Sequence, residues 1–337
     1  MSGGPAGQRW FIVLSPDGAA RMVSLHCAKA FEERFGADCK TFDSLKYRNA
    51  FSQLQNTVNH EMTVDLLNQS LIVSCLDFSA THILVMALSP VTVFSLNLLR
   101  KQGVKTIHWF FEDFRRVTYW KEVLPGYDHF CAIQRDPLPD ACRATGGAYH
   151  FLPTAASMVS ASPISGNDRP YDVGFIGIPT PYRIAVLELL AQNGMKVAIA
   201  GSGWNVYGGI LQKSIIKSTW VSEEESFNIL CRSKTGINLS VDKPVDRTIT
   251  HISPRVYDIL LAGCSLVSEN VTLLEETLPD CRYYTFNSPD DAFLAVDKAL
   301  SEYPALFTTA EKNRLMIIQN HTYKQRVEQI CRICGTD

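Results

Sequence analysis

The chain has 337 residues, of which 46% are apolar and 20% charged, with a formal net charge of −2. That balance gives no electrostatic case for a nucleic-acid partner or an anionic membrane, and the length suits two domains that need no disulfide or metal staples. Ten cysteines are scattered, several inside apolar runs (Cys75, Cys131, Cys264), and no signal peptide opens the chain, so reduced thiols in a cytoplasm are expected. The longest apolar stretch, Ile83–Leu99, is interrupted by Ser89-Pro90 and is too short to span a bilayer.

Met1–Gln8 is Gly-rich and expected to be disordered. Trp10–Leu14 is a buried-strand run, followed by Ser15-Pro16-Asp17-Gly18 and a helical pattern from Ala19 to Phe35. Strand, glycine-containing loop, helix is the opening of a parallel α/β domain. Asp38–Phe42 reads as a second strand, and the periodicity from Tyr47 to Ala80 is helical. Strand and helix then alternate: His82–Ala87, Thr92–Gln102, Lys105–Phe110, Asp128–Ile133, Pro139–Thr145 and Tyr149–Leu152. Thr154–Pro170 has the small, polar composition of a linker.

Alternation restarts with a strand at Asp172–Ile176, a helix at Tyr182–Gln192 and a strand at Lys196–Ala200 that runs into Gly201-Ser202-Gly203-Trp204. A polar connection leads to a helix at Glu223–Arg232, capped by Ser222. Lys213 and Lys217 share a face if that connection is helical. Thr235–Leu239 is a buried strand, and a polar loop of mixed charge follows. Ser253-Pro254-Arg255 then combines a favoured N-cap with proline at the first helical position, which predicts a helix from Pro254 to Ala262, stopped by Gly263. The strand Ser265–Ser268 ends on Glu269; Tyr283–Phe286 is a strand, Pro289–Glu302 a helix, and Thr308–Ile333 helical throughout.

Arg255-Val256-Tyr257-Asp258 followed by Ala262-Gly263-Cys264-Ser265-Leu266-Val267 is similar to the R-x-F/Y-E…A-x-G-x-x-L-V/L signature of GT-B glycosyltransferases. The spore-maturation (CgeB-like) glycosyltransferase-like family resembles it most closely. Ile83–Asp113, Tyr171–Trp204 and the ending His321-Thr322-Tyr323…Arg326 also look like passages of that family, in the same order over most of the chain. Asp258 stands where the pattern has Glu, and Thr250 stands where the E-x7-E form has its first acid. The resemblance implies an α/β fold of two doubly wound Rossmann-like domains. It places an acceptor domain over 9–160, a nucleotide-sugar donor domain over 171–305, and a helical tail over 306–337 that crosses back to the first domain.

In doubly wound sheets ligands bind outside the carboxyl ends of the strands, so the residues after each strand are the candidates. Gly177 lets backbone approach a donor, and Arg183 offers a fork to a pyrophosphate, although a turn glycine and a solvated arginine are the plain alternative. Gly203 belongs to a loop whose amides can cradle phosphate, and Trp204 is either the wall of a base pocket or core packing. Asn238 and Ser240 end a strand beside the helix N-terminus capped by Ser253, a natural seat for an anion. Arg255 stands in the first turn, where the helix dipole disfavours a cation unless an anion joins it. The resemblance gives Asp258 the ribose hydroxyls of the donor. Glu269 and, more weakly, His251 are candidates to touch the sugar.

In the first domain Asp17, Glu112 and Asp113 follow strands and so face a cleft between the domains. An inverting transferase needs a general base there, and Asp17 and Asp113 are the candidates, with helix capping as the alternative for Asp113. Cys331-Arg332-Ile333-Cys334 lacks further ligands at zinc spacing and reads as structural. The expectation is a glycosyltransferase moving a sugar from a UDP- or GDP-linked donor to a glycan or protein acceptor. It would use no metal and no cofactor beyond that co-substrate, and would have no nucleic-acid partner. A binding or assembly protein on the same fold, or another nucleotide-sugar enzyme such as an epimerase, are the alternatives.

Overall fold

The computed structural model describes residues 7–47, 53, 60–158, 169–241, 250–271 and 273–335. Most of the glycine-rich start, parts of the Tyr47–Ala80 helical pattern, the centre of the linker and the mixed-charge loop at 242–249 lie outside the described residues. The chain divides into two compact units: Met1–Thr154 with Tyr323–Asp337, and Ala155–Thr322.

The first unit carries a parallel sheet of β1 (Trp10–Val13), β2 (Cys39–Phe42), β3 (His82–Met86), β4 (Lys105–Phe110), β5 (His129–Ala132) and β6 (Ala148–Phe151), in the order β2-β1-β3-β4-β5-β6. β1 and β3 are buried along their whole length, as continuous apolar runs covered on both faces should be. Its helices are α1 (Gly18–Phe35), α2 (His60–Asp77), α3 (Val93–Lys101), α4 (Trp120–Val123) and α5 (Leu138–Ala144). The strand order reverses between β1 and β3. There Ser15 Oγ donates to Ala87 O at 2.7 Å, and Ser89 Oγ donates to Leu14 O at 3.0 Å.

The next turn is fixed by a buried relay. His108 Nδ1 lies 2.8 Å from Val85 O, which can only accept, so Nδ1 carries the proton and Nε2 accepts from Tyr119 Oη at 3.2 Å. The Tyr119 oxygen in turn accepts from Leu88 N at 2.8 Å, holding Leu88 at φ +65°, a region leucine rarely adopts. Burial pushes the His108 pKa down to about 3, so the ring stays neutral and keeps this tautomer.

The second unit carries β7 (Tyr171–Ile176), β8 (Val197–Ala200), β9 (Ile215–Lys217), β10 (Ser233–Asn238), β11 (Ser265–Glu269) and β12 (Tyr284–Phe286). They form a parallel sheet in the order β12-β11-β10-β7-β8-β9. Its helices are α6 (Pro181–Gln192), α7 (Glu223–Cys231), α8 (Pro254–Leu261), α9 (Leu274–Thr277), α10 (Pro289–Ser301) and α11 (Tyr303–Asn320). The strand order reverses between β7 and β10. At the opposite edge buried Arg169 donates to Ser233 O and Ala262 O, tying the start of β10 to the end of α8.

Two features depart from the sequence expectation. The connection carrying Lys213 and Lys217 is a 3-10 turn, Ile210–Ser214, followed by β9, so the two lysines share no helical face. The tail is also not one helix: it breaks at His321, α11 packs on α8 within the second unit, and α12 (Tyr323–Ile333) packs on α1 in the first. The division therefore falls at Thr154 and Tyr323 rather than at 160 and 306, because α11 buries its apolar side, Ile317 included, inside the second unit.

The His-Thr-Tyr-x-x-Arg ending serves these crossings. Thr322 forms a parallel bridge with Ala156, and the Tyr323 ring packs on those of His26 and Trp109. Arg326 is 1% exposed, its Nε donating to Pro153 O at 2.8 Å and its Nη2 to Thr154 O at 3.0 Å. Cys331 and Cys334 are buried and form no disulfide, and burial pushes the Cys334 thiol up to about 12. Replacing Arg326 by Leu leaves buried carbonyls without donors, and we expect a loss of about 2–4 kcal/mol, read as a lower urea midpoint of the full chain.

Candidate functional site

All six strands of the second sheet run parallel, so the loops after them lie on one edge. At the reversal between β7 and β10, Arg183 spans two of those loops. Its Nη1 donates to Ile178 O at 3.1 Å, its Nη2 to Leu239 O at 2.8 Å and its Nε to Ser240 O at 3.0 Å. The guanidinium also lies over the Phe175 ring, 5.4 Å from its centroid. Three of its five N–H donors thus go to backbone carbonyls, and Arg183 braces the two loops.

Glu269 braces the same segment from the other side. It is 4% exposed; Ser240 N donates to Oε2, and Ser240 Oγ donates to Oε1 at 3.0 Å. Tyr182 also donates to it, a contact that sequence spacing gave no sign of. Burial raises its pKa, against the opposing pull of these donors and of Arg183. Buried and bonded to Ser240, Glu269 supports its own loop in this structure. Asn238 is also buried, its Nδ2 donating to Ser268 Oγ at 3.0 Å, which links the ends of β10 and β11.

The glycine loops on this edge pack backbone against backbone. A Cβ on Gly201, whose φ is +150°, would lie 2.1 Å from Gly177 O, and one on Gly177 would lie 2.9 Å from the Phe175 ring. Gly203, at φ +93°, turns the chain against the Pro179 ring. Trp204 is 1% exposed and its Nε1 donates to Gly177 O at 2.8 Å. The indole is therefore a core pillar that fixes the β7 loop, and the packing alternative for it is what the structure shows.

The N-terminus of α8 forms as its sequence predicts. Ser253 is extended and its Oγ accepts from Arg255 N at 3.3 Å, with Pro254 at the first helical position. Arg255 Nη1 donates to Asp258 Oδ2 at 3.1 Å and to Ser226 Oγ, in the first turns of α7, at 3.3 Å. The carboxylate one turn on offsets the unfavourable dipole at Arg255, and both side chains stay about a quarter exposed, where such a pair contributes at most about 1 kcal/mol. The structure thus brings Ser253, Arg255, Asp258 and Ser226 together, while Gly177, Gly203, Trp204, Arg183, Asn238 and Glu269 build the frame beside them. His251 and Thr250 precede the cap.

On the first sheet Asp17 is exposed after β1, at the N-cap of α1, and makes no capping hydrogen bond with its side chain. Asp113 is engaged: Oδ1 accepts from Arg115 N and Nε, both at 2.9 Å, and Oδ2 also pairs with Arg115. The side chain closes a turn over Phe114–Arg116 and adds an ion pair; it caps no helix, since α4 starts only at Trp120. Glu112 is half-buried, and burial raises its pKa, with Arg116 opposing. Among the described residues no group of three or more His, Cys, Asp or Glu stands together as a metal site, and no helix is long and apolar enough to cross a membrane.

Two parallel six-stranded sheets with flanking helices, the last helix returning to the first unit, are the GT-B fold. Sucrose-phosphate synthase from Thermosynechococcus elongatus superposes with a TM-score of 0.68 at 10% identity, covering 97% of this chain and 98% of that one. A glycosyltransferase from Rickettsia africae gives 0.66 at 12%, covering 97% and 98%. Anabaena HepE, solved in complex with UDP and glucose, gives 0.64 at 12%, covering 98% and 100%. A family profile described as glycosyl transferase-like matches residues 183–332. No curated protein matches the chain.

Gly201→Ala should place a methyl group against Gly177 O and cost more than about 2 kcal/mol, whereas Gly208→Ala, with open space around its Cβ, should be near neutral. Urea denaturation of the two variants side by side checks the difference.

Proposed function

We propose that this protein is a glycosyltransferase that takes a sugar from a nucleotide-sugar, with UDP as the first nucleotide to test. The observation that carries the reading is the α8 N-terminus: a capped run of helix amides, Arg255 beside it, and Asp258 one turn further in. Amides and a guanidinium suit a diphosphate, and a carboxylate suits vicinal hydroxyls through charge-assisted hydrogen bonds. The glycosyl transferase-like profile over 183–332 spans this helix, and HepE, which shares the fold, was solved with UDP and glucose. The finer resemblance to the CgeB-like family is part of the same proposal.

As the donor binds, the Arg255–Asp258 pair opens: the guanidinium turns to the diphosphate and the carboxylate to the ribose. Charge develops on the leaving diphosphate as the sugar departs, and donors already aimed at it stabilise that state most. The amides of α8 and Arg255 supply this in the reading, with no metal ion or cofactor required. The acceptor, a glycan or a protein, falls to the first unit, and exposed Asp17 is better placed than Asp113 to take its proton, since Arg115 occupies both oxygens of Asp113. Ten cysteines outside any disulfide, nine of them buried, support a reducing compartment such as the cytoplasm.

A second reading, a nucleotide-sugar-binding protein without transfer, is favoured by Thr250 in place of the first acid of the E-x7-E form and by the engaged Asp113. Calorimetry and product analysis separate the two. Asp258→Ala should weaken UDP by roughly 10- to 100-fold while leaving pyrophosphate unchanged, and Arg255→Ala should weaken both. Asp17→Asn should bind UDP as the parent does and transfer no sugar. UDP binding without turnover in the parent protein, against a panel of glycan acceptors, would favour the second reading.

A further inference from the structure

β6 is an outer strand of the first sheet, and none of its residues is buried. It pairs with β5 so that His129 lies opposite Ala148 and Cys131 opposite His150. Alternate residues of a strand share a face, so His129 and His150 are diagonal neighbours on one face of this pair. Their rings meet there. His129 Nδ1 and His150 Nε2 are 3.1 Å apart, and the ring centroids are 5.2 Å apart.

Two imidazole nitrogens come this close when one proton or one cation stands between them, because two facing lone pairs repel. In the metal-free pair one ring's N–H donates to the other ring's lone pair. Two imidazoles on one tetrahedral ion, each nitrogen about 2.0–2.1 Å from it, hold those nitrogens about 3.3 Å apart. The strand pair therefore already sets the rings within about 0.2 Å of the spacing a chelate needs. Burial lowers the pKa of both rings. His150 falls to about 4, with His129 adding to the effect; at His129 the Asp128 carboxylate opposes burial and Lys105 assists it. Both rings are thus neutral in neutral solution, the form that ligates.

We propose that His129 and His150 form a two-ligand site for a divalent cation that prefers imidazole, Zn²⁺ first. The proton that joined the rings moves to the far nitrogen of its own ring, so both facing lone pairs turn to the ion and no proton is released. Among the described residues no third His, Cys, Asp or Glu joins the pair, so water completes the coordination and the ion is exchangeable. Mg²⁺ and Ca²⁺ take oxygen ligands and should pass the site by.

The site stands apart from the proposed transfer chemistry. His129 opens β5 at its amino end, whereas Asp17 and Asp113 follow their strands at the carboxyl edge of the same parallel sheet. The ion acts as a clip that ties the outer strand to its neighbour. The inference therefore does not depend on the nucleotide-sugar reading.

Calorimetry of the full chain near neutral pH should show one Zn²⁺ bound per chain, and no binding of Mg²⁺. His129→Gln and His150→Gln should each weaken Zn²⁺ by at least the roughly 10-fold that loss of a mere outer-shell partner costs. Glutamine can still hydrogen-bond the remaining ring, so circular dichroism and the metal-free urea midpoint of both variants should match the parent. Zn²⁺ should raise the midpoint of the parent alone, since an ion that binds only the folded state stabilises it. Co²⁺ in place of Zn²⁺ should give no thiolate charge-transfer absorption, which separates this pair from the ten cysteines. No Zn²⁺ binding by the parent, or binding that both variants retain, overturns the site. A thiolate band on Co²⁺ assigns the ion to cysteine and overturns it as well.

Discussion

The second unit depends on one guanidinium. A parallel sheet whose strand order reverses leaves a crevice at the reversal, and the two loops on either side have no ladder to join them. Arg183 supplies the join by donating to carbonyls of both loops, Ile178 on one side and Leu239 and Ser240 on the other. Glu269 then takes the N–H and hydroxyl of Ser240. A cation that gathers carbonyls and an anion that gathers donors thus grip one short segment from opposite sides. The loops of β7, β10 and β11 become a single fixed surface next to α8.

The first unit meets the same requirement with neutral groups. Between β1 and β3 the joins are the hydroxyls of Ser15 and Ser89, and the adjoining turn hangs on the relay from Val85 through His108 and Tyr119 to Leu88. Charge stands beside those neutral joins: Arg21 donates to Ser15 O at 3.4 Å and pairs with Asp43, and Asp17 is exposed after β1. Both strand edges thus carry ion pairs, Arg255–Asp258 on one and Arg21–Asp43 with Arg115–Asp113 on the other.

Most strands were legible because a strand buried on both faces has to be a continuous apolar run, and Phe11-Ile12-Val13 or Leu266-Val267 admits few other uses. The α8 cap was legible for a similar reason, since Ser-Pro is a local device with a local outcome. β9 was not: three residues, Ile215-Ile216-Lys217, are too few for a period, and their pairing with β8 is long-range. The break at His321 was hidden because both flanking segments are helical in pattern, and only the choice of packing partner separates them. Side-chain roles were the least legible. Whether Arg183 or Asp113 faces a ligand or a neighbour turns on contacts such as Leu239 O and Arg115, which spacing does not encode. The same holds for the tryptophans, where Trp204 and Trp220 both follow strands and only one is enclosed.

The return of α12 to α1 makes the first unit discontinuous in sequence: residues after Thr322, among them the buried Val327 and Ile330, complete a unit whose other part ends at Thr154. The packing of α12 on α1 therefore closes a loop of chain that holds all of Ala155–Thr322. Such a closure joins segments far apart in sequence, and its entropy has to be met before the contacts it makes can repay it.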